Sequence, residues 1–188
     1  MRLKIRSQLP LIEKGGVLDD CGPSSMAAAC SWVLGKEISA SEGVTAKEKA
    51  TGRKDQTGVP DNGSSLSELI KTAKVLGAKG RWARDWADVV ASAKSGAAIG
   101  VHVQAAINYP PQAISAWHKR FIGRHANATY GHMTCAVWDK ELGWQFADPT
   151  FTGKGAEAYA VLVSEKELKA IASSKGDAPY KRCIIITK

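Results

Sequence analysis

Three side chains in this 188-residue chain have the types and spacing that covalent acyl transfer requires: Cys21, His132 and Asp148. Cys21 stands immediately before Gly22-Pro23 and an Ala-rich run, the pattern of a helix start. The thiolate is the reactive form of cysteine, and the N–H groups and dipole of a helix N-terminus favour negative charge there. A nucleophile so placed also offers its own backbone N–H to a developing oxyanion, and Gly22 lets another chain approach closely. Taken alone, a Cys-Gly at a helix start is more often structural than catalytic. The partners change that balance. A thiolate hydrolase needs an imidazole base and a third group that fixes the ring. His132 opens one apolar run and Asp148 closes the next. Pairing these runs through the turn between them brings both residues to one end of a hairpin. Alternation then puts Thr134 and Ala136 on the face of His132 and turns Met133, Cys135 and Val137 away. Cys135 is therefore a poor candidate nucleophile.

The elements that must position these residues are legible in outline. Lys4 to Arg6 suits a short strand, followed by a Pro/Gly-bearing loop to Asp20. A helix fits Gly22 to Leu34, with Pro23 in its first turn and Gly35 as its stop. Residues 36–63 are polar and Gly-rich, read as surface loops with at most one short helix near Ala46 to Ala50. Ser65 and Glu68 have capping-box spacing, and Leu66, Leu69, Ile70, Ala73 and Leu76 fall on one helical face. A third helix fits Asp85 to Ala93, and Ala97 to Val103 is the apolar run of a buried strand. Residues 104–131 show no period and read as an insertion. Strands follow at 132–138 and 144–148, then at 158–163 and 182–187, the last two flanking a helix at Ser164 to Ser173. Helices first and then an antiparallel sheet indicate an α+β fold, a single domain over 1–188.

Composition bounds the function. Net charge is +8, which suits polyanionic surroundings such as anionic wall polymers, nucleic acid or anionic lipid. The basic residues are spread along the chain with no run beyond two, unlike a dedicated nucleic-acid reader. No apolar stretch approaches membrane-spanning length. The opening MRLKIRSQLPLIEK has neither an apolar h-region nor a small-residue cleavage site, so synthesis is expected to end in a cytoplasm. The cysteines Cys21, Cys30, Cys135 and Cys183 form no CxxC pair. This predicts one reactive thiol and three small buried residues, with neither a zinc ribbon nor a disulfide framework. His118 and His125 are expected at the surface, with a metal or supporting role as the alternative, and His102 within a strand. The tryptophans Trp82, Trp86 and Trp117 either pack in the core or line a groove.

DDCGPSSMAA (19–28), GHMTCAVW (131–138) and FADPT (146–150) resemble the three motifs of papain-fold cysteine peptidases of the bacteriocin-leader-processing, double-glycine type. Residues 63–80 and the strand after them are similar to that family's middle region. The resemblance implies a papain-like fold with N-terminal helices packed on an antiparallel sheet. It implies Cys21 as nucleophile, His132 as base, Asp148 as orienting carboxylate, and an oxyanion glutamine. Gln8 is the only glutamine upstream of Cys21, with a separation longer than usual; Asp20 or Ser24 is the alternative. Gly22, Gly131 and Trp117 are the expected substrate contacts. Neither a cofactor nor a metal is implied. Leader-processing peptidases are normally fused to membrane transporters, and this sequence has no such segment.

A cationic peptidase of this type without a transporter resembles the N-terminal domain of actinobacteriophage endolysins. That implies cleavage of peptidoglycan stem peptides, made in the host cytoplasm and acting at the wall after holin-type release. It also leaves room for fusion to further lysin domains. Other classes remain open: an intracellular peptide-processing protease, a Cys-His-Asp amidohydrolase or acyl transferase, a non-catalytic module of the same fold, or a basic nucleic-acid binder.

Overall fold

Local sequence chemistry sets where the helices begin and end. In the computed structural model, which describes residues 1–9, 20–54, 63–116, 118–119, 131–155, 158–174 and 176–188, helix α1 spans Cys21–Leu34. It ends on Gly35 in the left-handed conformation, φ 65°, which glycine adopts without a Cβ penalty. Helix α2, Ala40–Thr51, occupies the segment read as loops, and this is a correction to that reading. Ser39 accepts from the Glu42 N–H while Glu42 accepts from the Ser39 N–H, a capping box that starts a helix of weak apolar patterning. The expected box at Ser65 and Glu68 starts α3, Leu66–Val75. Asp85 caps α4, Trp86–Lys94, and the box of Ser164 and Glu167 starts α5, Glu165–Ala172.

Among the described residues, six strands form one antiparallel sheet: β1 Lys79–Trp82, β2 Ala98–Gln104, β3 Gly131–Asp139, β4 Gly143–Ala147, β5 Val161–Val163 and β6 Cys183–Thr187, in the order β1-β6-β2-β3-β4-β5. Strand β1 has no signature in the sequence because it is short, edge-placed and largely exposed. The strand expected at Lys4 to Arg6 reduces to a single bridge between Lys4 and Tyr159.

Both faces of this sheet are covered. Met133, Cys135, Val137, Ala98, Ile184 and Ile186 pack with Met26, Ala29 and Cys30 of α1 and Leu69 and Ala73 of α3. Ile99, Val101, Val103, Ala136 and Ile185 pack on the opposite side with Val89 of α4 and Leu168 and Ile171 of α5. A strand buried on both sides needs apolar residues at successive positions, which is why β2 and β6 read as continuous apolar runs. The expected alternation along β3 holds for Met133 to Val137.

The first turn of α1, which carries Cys21, is held by α2. A Cβ built on Gly43 would lie 2.4 Å from the Pro23 carbonyl oxygen. That backbone atom has nowhere to move without shifting the helix. Gly43→Ala is therefore expected to destabilise the protein by about 3 kcal/mol, the upper part of the overpacking range, measured as a lowered midpoint in urea. Among the described residues no helix is long and apolar enough to cross a membrane.

Candidate active site

Cys21 is the first residue of α1 and is half-buried, whereas Cys30, Cys135 and Cys183 are buried free thiols. Burial pushes Cys30 and Cys183 up to about 12 and raises Cys135 as well, so these three are inert near neutral pH. Asp20 precedes the helix without capping it through its side chain, and no acidic residue lies in the first turn. The helix start thus keeps its preference for an anion at Cys21. The chain that Gly22 admits is the protein's own: a Cβ there would lie 3.0 Å from Leu69 and 3.1 Å from Ser64.

His132, second in β3, and Asp148, one residue beyond β4, are both buried. Pairing of Cys135 with Ala147 sets the hairpin so that its open end holds both. Nε2 of His132 donates to Asp148 Oδ1 at 2.9 Å. With Nε2 so committed, Nδ1 is the ring nitrogen left for Cys21, which lies close enough to help raise the imidazole. Burial is the largest influence on His132 and opposes its protonation. The Asp148 carboxylate, with a smaller part from Cys21, overcomes that burial and raises the imidazole to about 10. For Asp148 burial is again the largest single influence and raises it; His132, His118 and Thr150 outweigh it and hold the carboxyl well below its usual range. Near neutral pH the pair is an imidazolium against a carboxylate, which is the charge state that stabilises a neighbouring thiolate.

Several residues without a sequence signal complete the surroundings of Asp148. Its Oδ1 also accepts from the Thr150 N–H at 2.8 Å and the Thr150 hydroxyl at 2.7 Å. Its Oδ2 accepts from the Tyr109 hydroxyl at 3.0 Å. Ser115 Oγ lies 2.9 Å from Thr150 Oγ1 and accepts from the His118 N–H. His118 is 1% exposed, with Nε2 3.8 Å from Asp148 Oδ2 and its ring edge-on to those of His132 and Tyr109. This corrects the expectation of a surface histidine. Burial, more than anything else, pushes His118 below its ordinary value, with His132 adding to that and Asp148 opposing it. All of these groups except Thr150 come from the segment read as an insertion. Its aperiodic sequence hides them, and Tyr109 directly follows a tight turn. Ala106 and Asn108 adopt φ of 57° and 60°, a conformation unusual for residues with a Cβ.

The remaining expected site residues are placed as follows. Gln8 is 1% exposed; its N–H donates to the Pro149 carbonyl at 3.0 Å, and its Oε1 is buried with no hydrogen-bond partner among the described residues. Gln8 thus lies beside the segment that carries Asp148. Ser24 is buried one turn after Cys21, its hydroxyl likewise without a partner there. Gly131 is exposed at the start of β3. Trp117 and His125 fall outside the described residues. Trp82 lies on edge strand β1, separated from β3 by β6 and β2, and Trp86 donates to Glu165; neither is a groove residue beside His132. His102 sits within β2 opposite Met133.

His118, His132 and Asp148 present donor atoms within 4.8 Å of one another, a spacing a cation could use. Hydrogen bonding already accounts for both oxygens of Asp148. Activity is accordingly expected to persist undiminished after dialysis against EDTA, measured against an untreated sample.

Neither a family profile nor a curated protein matches the chain. Over 99% of this chain and 94% of the other, the structure matches a crystal structure from Bacillus anthracis that carries the provisional description of a C39-like peptidase, with a TM-score of 0.55 and 14% sequence identity. That likeness establishes the α+β fold, with N-terminal helices on a six-stranded antiparallel sheet. Function rests on the side chains.

Proposed function

We propose that the chain is a cysteine peptidase whose substrate is the peptide part of bacterial peptidoglycan, cleaved as the peptidase module of a phage endolysin. The observation that carries the peptidase reading is the convergence at Cys21. The one cysteine that is not buried starts a helix and meets an imidazole whose far nitrogen is bound to a buried carboxylate.

In this mechanism Cys21 Sγ attacks the amide carbonyl carbon, and the carbonyl electrons move onto oxygen. The Cys21 N–H and the Gln8 side-chain amide receive that oxyanion. Losing one such donor typically costs on the order of 3 kcal/mol in the transition state. The C–N bond breaks as the His132 imidazolium protonates the leaving amine, giving a thioester. Water, deprotonated by the now neutral His132, attacks the thioester; collapse expels the Cys21 thiolate and the product carboxylic acid, which ionises in solution, and the thiolate–imidazolium pair is restored. Asp148 holds the imidazolium in both half-reactions.

The substrate reading is supported by two things: a net charge of +8 suited to an anionic wall, and the resemblance of a cationic peptidase of this type without a transporter to endolysin peptidase domains. Synthesis in the host cytoplasm and action at the wall after holin-type release belong to the same proposal. The test is mass spectrometry of muropeptides released from purified walls. New free amino and carboxyl termini within the stem are expected. Release of intact stems would identify an amidase instead, and cleavage confined to soluble protein substrates a processing protease.

Tyr109 and Thr150 hold Asp148 without touching substrate. Tyr109→Phe removes one donor from a buried carboxylate, a loss of about 1–3 kcal/mol. We expect kcat on a soluble stem-peptide substrate to fall about tenfold with KM unchanged, since the deficit lies in orienting His132 and not in binding.

A further inference from the structure

A groove of about 590 Å³ lies beside the C-terminal end of α1, away from Cys21. Trp32, which lines it, is roughly 16 Å along the helix from Cys21 at 1.5 Å per residue. The groove is walled by residues 1–6, by the end of α1 and by Tyr159. Four cationic side chains line it, Arg2, Lys4, Arg6 and Lys36, together with the rings of Trp32 and Tyr159. Glu37 is the single carboxylate among the described lining residues, 3.6 Å from Lys4 and 3.3 Å from Arg6. Arg6 is pinned by Glu37 and Ser31, and its Nε is buried without a hydrogen-bond partner among the described residues. The Arg2 guanidinium lies 5.0 Å from the centre of the Tyr159 ring, which is 37% exposed.

We propose that this groove binds an anionic saccharide, a sugar chain bearing carboxylate or phosphate substituents. Each lining group has a part in that chemistry. The aromatic rings offer flat apolar faces to the C–H faces of a sugar, and the excess cations face its charged substituent. The exposed Glu37 carboxylate accepts from sugar hydroxyls, while the Ser31 hydroxyl, which donates to the Ala27 carbonyl and accepts from the Ile38 N–H, braces the groove wall. An apolar ligand would leave the groove's excess positive charge unmatched, since one carboxylate faces four cations. A nucleic acid would bring a phosphate at every residue toward Glu37, where like charges repel. The site is independent of the catalytic proposal and would hold in a chain whose Cys21 were inert.

Isothermal titration calorimetry on the full chain at low ionic strength tests this with three probes. They are a hyaluronan octasaccharide (alternating glucuronate and N-acetylglucosamine), the neutral chitohexaose, and a twelve-nucleotide single-stranded DNA. The hyaluronan fragment is expected to bind, with affinity falling as salt rises, and chitohexaose at least tenfold more weakly. In Arg2→Ser/Lys36→Ser, where both side chains are exposed, affinity for hyaluronan should fall at least tenfold with the melting temperature unchanged. Tyr159→Ala provides a second variant that removes a ring without touching charge, and should weaken binding of the same probe. The proposal is overturned by no hyaluronan binding in the parent, by unchanged affinity in the double variant, by equal affinity for chitohexaose, or by tighter binding of the DNA.

Discussion

Cys21→Ala is expected to lose all measurable release of muropeptides from purified peptidoglycan while its melting temperature stays within a few degrees of the parent. Chemistry and stability separate here because Sγ sits at a helix start and is half-buried. Its removal opens no sealed core cavity, and alanine is an excellent helix former. No other thiol can substitute: burial holds Cys30 and Cys183 near 12 and raises Cys135. The same contrast predicts that one equivalent of iodoacetamide labels Cys21 alone, read by peptide mass mapping, and that labelling and loss of activity run in parallel. Wild-type turnover in Cys21→Ala would sink the nucleophile assignment and the peptidase proposal with it.

What the sequence revealed about this site divides along physical lines. Cys21, His132 and Asp148 were legible because each stands at the end of a regular element, where periodicity and turn residues announce a boundary. The hairpin register needed only an antiparallel pairing through a short turn, and α3 and α5 were announced by Ser-x-x-Glu caps. Helix α2 was missed because its cap, equally present as Ser39 and Glu42, precedes Gly43, Lys47 and Lys49 and no apolar stripe. Its burial depends on α1, with Gly43 against Pro23. Strand β1 is stabilised by pairing with β6, a contact more than a hundred residues away in sequence that no local pattern encodes. Tyr109 and His118 were illegible for a related reason. Tyr109 directly follows a turn with left-handed Ala106 and Asn108, and His118 lies past a three-residue 3-10 helix at Pro111–Ala113, so no helix or strand period marks either position.

Asp148→Asn separates charge from shape at this site. An asparagine fits the position: its carbonyl can take the place of Oδ1 and accept from His132 and Thr150, and its NH₂ can face the Tyr109 hydroxyl, which rotates its proton away. The variant loses the negative charge and keeps the geometry. We expect kcat to fall by about 10⁴, the scale seen when the carboxylate of such a triad becomes an amide. Stability carries a second signature. His132 is raised from 6.5 to about 10 in the folded protein. Its pairing therefore stabilises fully below the unfolded value and is lost as pH climbs from 6.5 toward 10. Asp148 is shifted down from 3.8, so the same pair stabilises above that value and is lost as acid protonates the carboxylate. The ion pair thus contributes most between about pH 4 and 6.5. In the variant, burial acts on His132 without the carboxylate to oppose it, and the protonated ring becomes a cost of folding. The melting-temperature deficit of Asp148→Asn should be largest near pH 6 and narrow steadily toward pH 10. A deficit constant across that range would mean that Asp148 supports the hairpin only as a hydrogen-bond acceptor, with His132 uncharged in the folded state.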